Sequence, residues 1–188
     1  MRKFSSYGPI SKQSHFYVPR TEMIDNACLQ LLGEEPTEGG HYITVWAPRQ
    51  TVKTWLLLEV AERLKALGEY DVAILTMQSA KSAKTAEDAL EIFVTELRTW
   101  FERDNLPYIT DWKQLRTLFT SAYFDKPLIL ILDEFDAMQS KYINAFANEF
   151  RTIHGHRRNE HTKSTSEKTY LLHGLALMGV RSVLGIWG

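Results

Sequence analysis

Residues 41–54 read HYITVWAPRQTVKT, a strand-forming run followed by a loop and the start of a helix. The run 41–46 is rich in β-branched and aromatic side chains, which predicts a buried strand. Residues 53–67 are apolar and rich in good helix formers, and Gly68 follows them as a helix-ending residue. This part of the sequence therefore predicts a strand–loop–helix unit.

The loop of this unit lies where a phosphate-binding loop of the pattern G-x-x-x-x-G-K-[ST] would lie. In that pattern, backbone N–H groups surround the phosphates, the Lys reaches the β- and γ-phosphates, and the final hydroxyl ligates Mg²⁺. Lys53 and Thr54 match the pattern, whereas Ala47 and Val52 stand at its two glycine positions. The loop therefore predicts a phosphate site that departs from the usual pattern.

Val52 is the more serious of the two departures. The backbone before the Lys must approach phosphate closely, and a β-branched residue is an outlier wherever φ is positive. A conformational cost of about 1–3 kcal/mol would weaken nucleotide binding by roughly tenfold to 200-fold. Ala47 is a mild change, provided that the backbone there avoids positive φ.

A second signal is the apolar run 128–132, LILIL, which Asp133 and Glu134 follow directly. Such a run predicts a strand buried on both faces, and acids at its carboxyl end lie where open α/β sheets bind ligands. In P-loop ATPases a strand-end Asp, beside the first strand, holds Mg²⁺ through water, and a following Glu orients or deprotonates the attacking water. Asp136 is interpreted instead as a cap of the helix that begins near residue 140.

Strands and helices alternate along the rest of the chain. Thr21 predicts the N-cap of a helix at 22–32, which Gly33 ends. The other predicted elements are strands at 71–77 and 175–180, helices at 86–103 and 140–154, a short helix at 111–119 opened by Asp111, and a polar, basic surface loop at 155–168. This alternation predicts right-handed crossovers and a mostly parallel sheet covered on both faces. The expected fold is an α/β, three-layer sandwich of the P-loop NTPase type.

Composition excludes several classes of protein. The chain has 188 residues, with 22 basic and 23 acidic side chains and a formal charge of −1. That length suits one domain, and that balance gives no global basic field for nucleic acid or acidic lipid. The single cysteine, Cys28, excludes an intramolecular disulfide. Residues 1–14 lack the apolar core of a signal peptide, and no apolar run approaches a membrane span, so we expect a cytoplasmic protein with no membrane partner.

The motifs together resemble those of a known family. Residues 47–54 resemble the PRQxGKT loop of bacterial AAA-like ATPases, which are related to the STAND and AAA+ NTPases, and residues 132–136, LDEFD, are similar to their second box. Residues 17–20, YVPR, resemble the family's entry motif, which lies close to the adenine. Residues 172–182 look like the fourth core strand, whose end carries the sensor-1 position. The resemblance covers nearly the whole chain, from about residue 4 to residue 185.

The resemblance implies ATP with Mg²⁺, nucleotide-dependent switching and multidomain proteins. It implies that Lys53 and the backbone amides of residues 50–54 hold the phosphates, that Thr54 and Asp133 hold Mg²⁺, and that Glu134 polarises the attacking water. The implied nucleotide-binding residues are Arg20, Arg49, Gln50, Thr51, Val52, Lys53 and Thr54. Arg49 is equally compatible with a phosphate contact, a subunit contact or simple exposure.

The family continues beyond the length of this chain with a fifth core strand and a helical lid. We therefore expect residues 1–40 to form a leader and a helix, and residues 41–188 to form an ATPase core that is incomplete at its carboxyl end. The strand at 41–46 would then lie at an exposed edge of the sheet. Protein partners or fused effector domains are expected in a longer homologue.

Other interpretations stay open. A non-catalytic scaffold that has lost tight nucleotide binding is favoured by Val52 and by the missing carboxyl-terminal parts. A DNA-associated ATPase would use the basic segment 154–163, although the near-zero net charge opposes it and nucleic acid is not otherwise indicated. The histidines of that segment, His154, His156 and His161, would suggest a metal site, whereas the simpler interpretation is a solvated loop.

Overall fold

The computed structural model describes residues 20–35, 38–46 and 53–179 of the chain. Within them the strands are β1 (Tyr42–Trp46), β2 (Asp71–Thr76), β3 (Leu128–Asp133) and β4 (Leu172–Gly179). The α-helices are α1 (Thr21–Leu32), α2 (Lys53–Ala66), α3 (Ala86–Phe101) and α4 (Ser140–Asn159). Short 3₁₀ helices lie at Gln78–Ser82, Trp112–Phe119 and Phe135–Ala137. No helix among these residues combines the length and apolarity needed to cross a lipid bilayer.

The strands form one sheet in the order β1-β4-β3-β2, and every pairing is parallel. This arrangement confirms the predicted α/β class with a parallel sheet. The expectation that the Asp133 strand lies directly beside the first strand is wrong, because β4 lies between β1 and β3. All eight residues of β4 are buried, which suits an interior strand covered by helices on both faces.

Burial differs sharply between β3 and β1. Leu128–Leu132 have no exposed surface, as the apolar run predicts. The residues of β1 are half-buried or exposed, so the prediction of a buried strand at 41–46 is wrong. The physical reason is position: among the described residues, β1 pairs with β4 alone and therefore forms an edge of the sheet.

Successive residues of the strands face two different apolar layers. Leu128, Leu130 and Leu132 pack with α3, α4 and the 3₁₀ helix Trp112–Phe119. Ile129 and Ile131 pack on the opposite side with α1 and α2. Because side chains alternate along a strand, one apolar run serves both layers and produces the three-layer sandwich. The first layer contains an aromatic cluster with ring centroids 5.3 to 6.5 Å apart, formed by Phe93, Phe119, Phe135, Phe146 and Phe150.

The ends of the helices agree with the sequence signals in most cases. Asp111 caps the 3₁₀ helix Trp112–Phe119 through a capping box with Gln114. Gly33 ends α1 with φ of 85°, a conformation that glycine adopts without strain. Thr21 is not the N-cap of α1. The N-cap is Arg20, one residue earlier, because the Ile24 N–H donates to the Arg20 carbonyl (3.1 Å). The side chain of Arg20 makes no capping bond.

α4 continues to Asn159, well beyond the predicted end at residue 154. The prediction of a surface loop at 155–168 is therefore wrong in its first part. Arg157 turns inward and is buried, and its guanidinium donates to the Tyr170 carbonyl and to Thr165 Oγ1. Lys168 is also buried, with its ammonium donating to the carbonyls of Glu38 (2.6 Å) and Arg157 (3.1 Å). These acceptors compensate for burial of the two cations.

A chain of buried hydrogen bonds joins α1, α4 and β4 at the amino-terminal edge of the sheet. His173 contacts the Leu32 carbonyl through Nε2 (2.9 Å) and Thr165 Oγ1 through Nδ1 (2.7 Å). A carbonyl only accepts, so Nε2 carries the proton and Nδ1 accepts from the Thr165 hydroxyl. Thr165 in turn accepts from Arg157 (2.5 Å). Burial lowers the pKa of His173 to about 4, which keeps the ring neutral.

Acidification should destabilise the fold through His173. Its pKa is about 4 in the folded protein against an ordinary value of 6.5, so the unfolded chain binds more protons between these values. The free energy of unfolding should therefore be highest above pH 6.5 and should fall as the pH drops toward 4. The expected slope is up to about 1.4 kcal/mol per pH unit, measured by urea denaturation across that range.

His173→Gln should flatten this pH dependence, because glutamine does not titrate and can still donate to the Leu32 carbonyl. The matched control is His161→Gln, since His161 is exposed and outside the buried chain of hydrogen bonds. An unchanged slope in His173→Gln would contradict the assignment.

Candidate functional site

The carboxyl ends of the strands meet at one edge of the sheet. In the strand register, Thr76 of β2 lies opposite Asp133 of β3, and Trp46 of β1 lies opposite Gly179 of β4. α2 begins on this side with Lys53, which the chain reaches from the end of β1. Open α/β sheets bind ligands at this edge. Asp133, Glu134 and the first turn of α2 therefore lie on the side of the sheet where a ligand would bind.

Asp133 and Glu134 form a fixed pair of carboxylates at the end of β3. The Glu134 N–H donates to Asp133 Oδ1 (2.9 Å), and the Met77 N–H donates to the Asp133 carbonyl (2.9 Å). The Thr76 hydroxyl donates to Glu134 Oε2 (3.1 Å) and accepts from the Gln78 N–H (3.3 Å). The ends of β2 and β3 are thus joined by their side chains as well as by the ladder.

The backbone of Glu134 is left-handed, with φ of 54° and ψ of 33°. This conformation costs a residue other than glycine about 1–2 kcal/mol. Such strain persists where the surroundings impose it, and it clusters at functional sites. The bonds from Glu134 to Asp133 and Thr76 supply that constraint, so the turn after β3 is the strongest candidate for chemistry.

Asp136 does not cap α4. It lies in the 3₁₀ helix Phe135–Ala137, and the N-cap of α4 is Gln139, which makes no side-chain capping bond. Asp136 instead packs against Gly179, where an added Cβ would lie 2.8 Å from its Cγ and Oδ1. The chain turns back along the sheet edge before α4 begins, which brings this third carboxylate to the end of β4.

Most of the predicted phosphate loop lies outside the described residues. This applies to Arg49, Gln50, Thr51 and Val52, and to the entry residues 17–19. Lys53 and Thr54 form the first turn of α2, and their backbone is the part that the structure describes. Their placement at the start of a helix, after an edge strand, agrees with the predicted strand–loop–helix unit.

Arg20 is exposed and lies at the amino end of α1. No hydrogen bond or ion pair among the described residues joins it to Asp133 or Glu134. The structure therefore brings Asp133 and Glu134 together and leaves the predicted contact of Arg20 with nucleotide as a prediction.

Thr76 was not predicted as a site residue. Its signal in the sequence is modest, since it is the polar residue that ends the apolar run of β2. Only the pairing of β2 with β3 shows that this end lies opposite Asp133. A polar residue at the end of a strand can be assigned to a site only when the neighbouring strand is known.

The donor groups at this edge suit Mg²⁺ bound together with phosphate. The part of the chain that the structure describes holds no group of three or more His, Cys, Asp or Glu side chains that could bind a metal ion. The suggested site of His154, His156 and His161 is therefore not formed. Mg²⁺ bound with a nucleotide needs few protein ligands, because phosphate oxygens and waters complete its octahedron. The Asp133 carboxylate, a hard oxygen donor at the strand end, fits this role.

The backbone is similar to that of one chain in a solved structure. No family model matches the sequence, and no curated protein matches it. A chain in the structure of Drosophila ORC bound to poly(dA/dT) DNA and Cdc6 matches with a TM-score of 0.59 and 18% identity. The match covers 89% of this chain and 26% of that chain, so this chain spans about a quarter of its length. At this identity the likeness shows the fold alone, an α/β sandwich with a parallel sheet that is consistent with a P-loop NTPase-like fold.

The close approach of Gly179 and Asp136 can be tested by a double-mutant cycle. Gly179→Ala should lower the free energy of unfolding by about 1–3 kcal/mol, because its methyl group would overlap the Asp136 side chain. The same change should cost clearly less in an Asp136→Ala background, measured by urea denaturation.

Gly155→Ala is the matched control, because an added Cβ at this helical position meets nothing within 4 Å. It should be neutral or stabilising, by up to about 1 kcal/mol. Additive costs of Gly179→Ala and Asp136→Ala would show that the two residues do not interact.

Proposed function

We propose that the chain binds Mg²⁺-ATP at the carboxyl edge of its sheet and hydrolyses it as a nucleotide-dependent switch. The observation that carries this proposal is the turn after β3. There, two adjacent carboxylates follow a buried strand, and the second is held in a strained backbone by bonds to Asp133 and Thr76. The end of β1 and the first turn of α2 lie at the same edge, which supports phosphate binding there.

Phosphate binding would fall to the connection between β1 and α2. The Lys53 ammonium would neutralise the β- and γ-phosphates, and backbone N–H groups of residues 50–54 would donate to phosphate oxygens at the start of the helix. Arg49 would add a second cation in this loop. Arg20, at the exposed amino end of α1, would contact the base side of the nucleotide.

Hydrolysis would use the two carboxylates for different purposes. The Thr54 hydroxyl and Asp133 would hold Mg²⁺, which offsets the charge that develops on the phosphate oxygens. Glu134 would orient a water for in-line attack on the γ-phosphorus and take its proton, while the bond to the leaving ADP oxygen breaks. Thr76 would position the Glu134 carboxylate for this step.

Val52 favours a second function from a different class. It directly precedes Lys53, where the motif has glycine, and the conformational cost expected of a β-branched residue there would weaken phosphate binding. The alternative is a P-loop-fold module that has lost tight nucleotide binding and acts through protein partners. A DNA-associated role is less well supported, because Arg157, near the centre of the basic segment, is buried and bonded within the fold.

Val52→Gly should bind Mg²⁺-ATP roughly tenfold to 200-fold more tightly than the unmodified chain, because glycine would avoid the conformational cost of about 1–3 kcal/mol expected for a β-branched residue in a phosphate loop. Isothermal titration calorimetry on the two proteins measures the difference. Lys53→Ala, made in the Val52→Gly background, is the control and should abolish the binding gained. If neither the unmodified chain nor Val52→Gly binds, the ATPase proposal is contradicted and the scaffold alternative takes its place.

Glu134→Gln should retain Mg²⁺-ATP binding but lower the hydrolysis rate by about 100-fold or more, because an amide cannot take the proton of the attacking water. Glu134→Gly should cause the same loss and also stabilise the fold by about 1 kcal/mol, since glycine adopts a left-handed backbone without strain. Phosphate release and urea denaturation measure the two effects.

Glu102 offers a matched control, because it shares the left-handed backbone, with φ of 51°, at the exposed end of α3. Glu102→Gly should raise stability by a similar amount and leave hydrolysis unchanged. Equal losses of hydrolysis in the two glycine variants would refute a chemical role for Glu134.

A further inference from the structure

The outer edge of β2, the side that faces away from β3, carries backbone groups that the sheet does not bond. The Asp71 N–H donates to the Pro127 carbonyl (2.9 Å), so Asp71 faces β3. A parallel ladder bonds alternate residues to one neighbour, so Val72, Ile74 and Thr76 turn their N–H and C=O groups away from β3. Among the described residues, β2 pairs with β3 alone. Such a row of backbone groups is a template for pairing with another strand.

Trp100, at the carboxyl end of α3, lies over this edge. Its indole Nε1–H donates to the Val72 carbonyl (3.0 Å), which is one of the outward-facing groups. A paired strand would lie about 4.8 Å from β2. The indole nitrogen therefore occupies space that such a strand would need, and its bond takes an acceptor that the strand would use.

A lysine from the opposite layer meets the indole. Lys65, in the last turn of α2, places its ammonium 4.8 Å from the centroid of the Trp100 ring, which is a cation–π contact. α2 and α3 pack on opposite faces of the sheet. The contact between their ends therefore closes around the edge of β2. The ring stays 37% exposed, so only part of its area contributes to the core.

The space beside the indole is charged. A cavity of about 400 Å³ at the start of β2 is lined by Trp100 and by charged side chains that include Lys65, Lys126 and Glu102. The Lys126 ammonium donates to the Gly68 carbonyl (2.7 Å), which fixes this second lysine close to the end of α2. Lysines at the edge of a sheet oppose strand pairing, because pairing would remove water from their charges.

The sequence of β2 makes an open edge hazardous. Residues 72–75 read VAIL, an uncharged, apolar run without proline or glycine. Runs of this kind pair readily with copies of themselves when their edges are exposed. In two copies related by a two-fold axis, the β2 strands would present the same outward groups to each other. A second copy of this chain is therefore the partner that the bare edge would fit.

We propose that Trp100 and Lys65 form an autoinhibitory contact, the β2 edge clamp, that prevents a second copy of this chain from pairing with β2. The indole N–H bonds the Val72 carbonyl, the ring fills the place of a neighbouring strand, and the lysine charge disfavours desolvation of the remaining space. This inference does not depend on nucleotide binding, because neither residue of the clamp belongs to the proposed ATP site.

Trp100→Ala removes both the ring and its N–H. This variant should self-associate at a protein concentration at least about tenfold lower than the unmodified chain, measured by sedimentation velocity over a dilution series. Tyr108→Ala is the matched control, because Tyr108 is a 55% exposed aromatic residue that bonds Glu87, near the other end of α3. It should sediment as the unmodified chain does.

Two milder variants separate the parts of the clamp and keep most of its packing. Trp100→Phe retains an aromatic ring but cannot donate to the Val72 carbonyl. Lys65→Met retains an unbranched side chain but removes the charge. Both should associate at concentrations between those of Trp100→Ala and the unmodified chain. Urea denaturation shows which variants are folded, and the comparison is made among folded variants.

Ile74→Pro, made in the Trp100→Ala background, tests whether association uses β2. Proline removes the outward N–H of residue 74 while the ladder to β3 stays intact, so the double variant should return to the behaviour of the unmodified chain. Ile74→Ala in the same background controls for the lost side chain and should still associate.

The proposal is overturned by any of three results. The first is that folded Trp100→Ala and Trp100→Phe sediment as the unmodified chain does. The second is association of Trp100→Ala that Ile74→Pro does not reverse. The third is association of the unmodified chain that Ile74→Pro abolishes, because β2 would then be open to a second copy despite the clamp.

Discussion

β3 has no side that faces water. Two strands pair with its edges and two apolar layers cover its faces, so every backbone N–H and C=O of the strand must find a partner within the sheet. Parallel neighbours in register provide those partners, and they place Thr76 opposite Asp133 and Leu132 opposite Leu177. Burying an unpaired charge costs free energy, so a charged side chain is tolerated only where the buried part of the strand ends. The position of the Asp133–Glu134 pair thus follows from the length of the apolar run before it.

The side chains at the amino-terminal edge of the sheet, where the strands begin, are bonded differently from those at the carboxyl edge, where the strands end. At the amino-terminal edge, Arg157, Lys168 and His173 are buried, and each is compensated by carbonyl or hydroxyl groups. At the carboxyl edge, Glu134 keeps a strained backbone and stays half-buried. A well-bonded edge stabilises the fold as a whole, and this stability allows strain to persist at the opposite edge.

α4 takes part in three regions of the molecule. It begins just after the turn that holds Asp136, its inner face packs on β3 and β4, and its end buries Arg157. Its outer face, with Asn144, Ala147 and Arg151, lines a cavity beside β1. The small side chain of Ala147 leaves this space open. One helix therefore contributes to the core, to the amino-terminal edge and to the cavity beside β1, through residues that its periodicity separates onto different faces.

Local patterns in the sequence were sufficient for the class of fold and for the acidic pair. The LILIL run with its two acids, the alternation of strands and helices, and the signals at Asp111 and Gly33 all depend on neighbours along the chain. Contacts between distant parts of the chain were not predicted: these are the position of β4 between β1 and β3, the bond from Thr76 to Glu134 and the inward turn of Arg157. Each of these joins residues far apart in sequence, and burial against distant partners, rather than local preference, decides them.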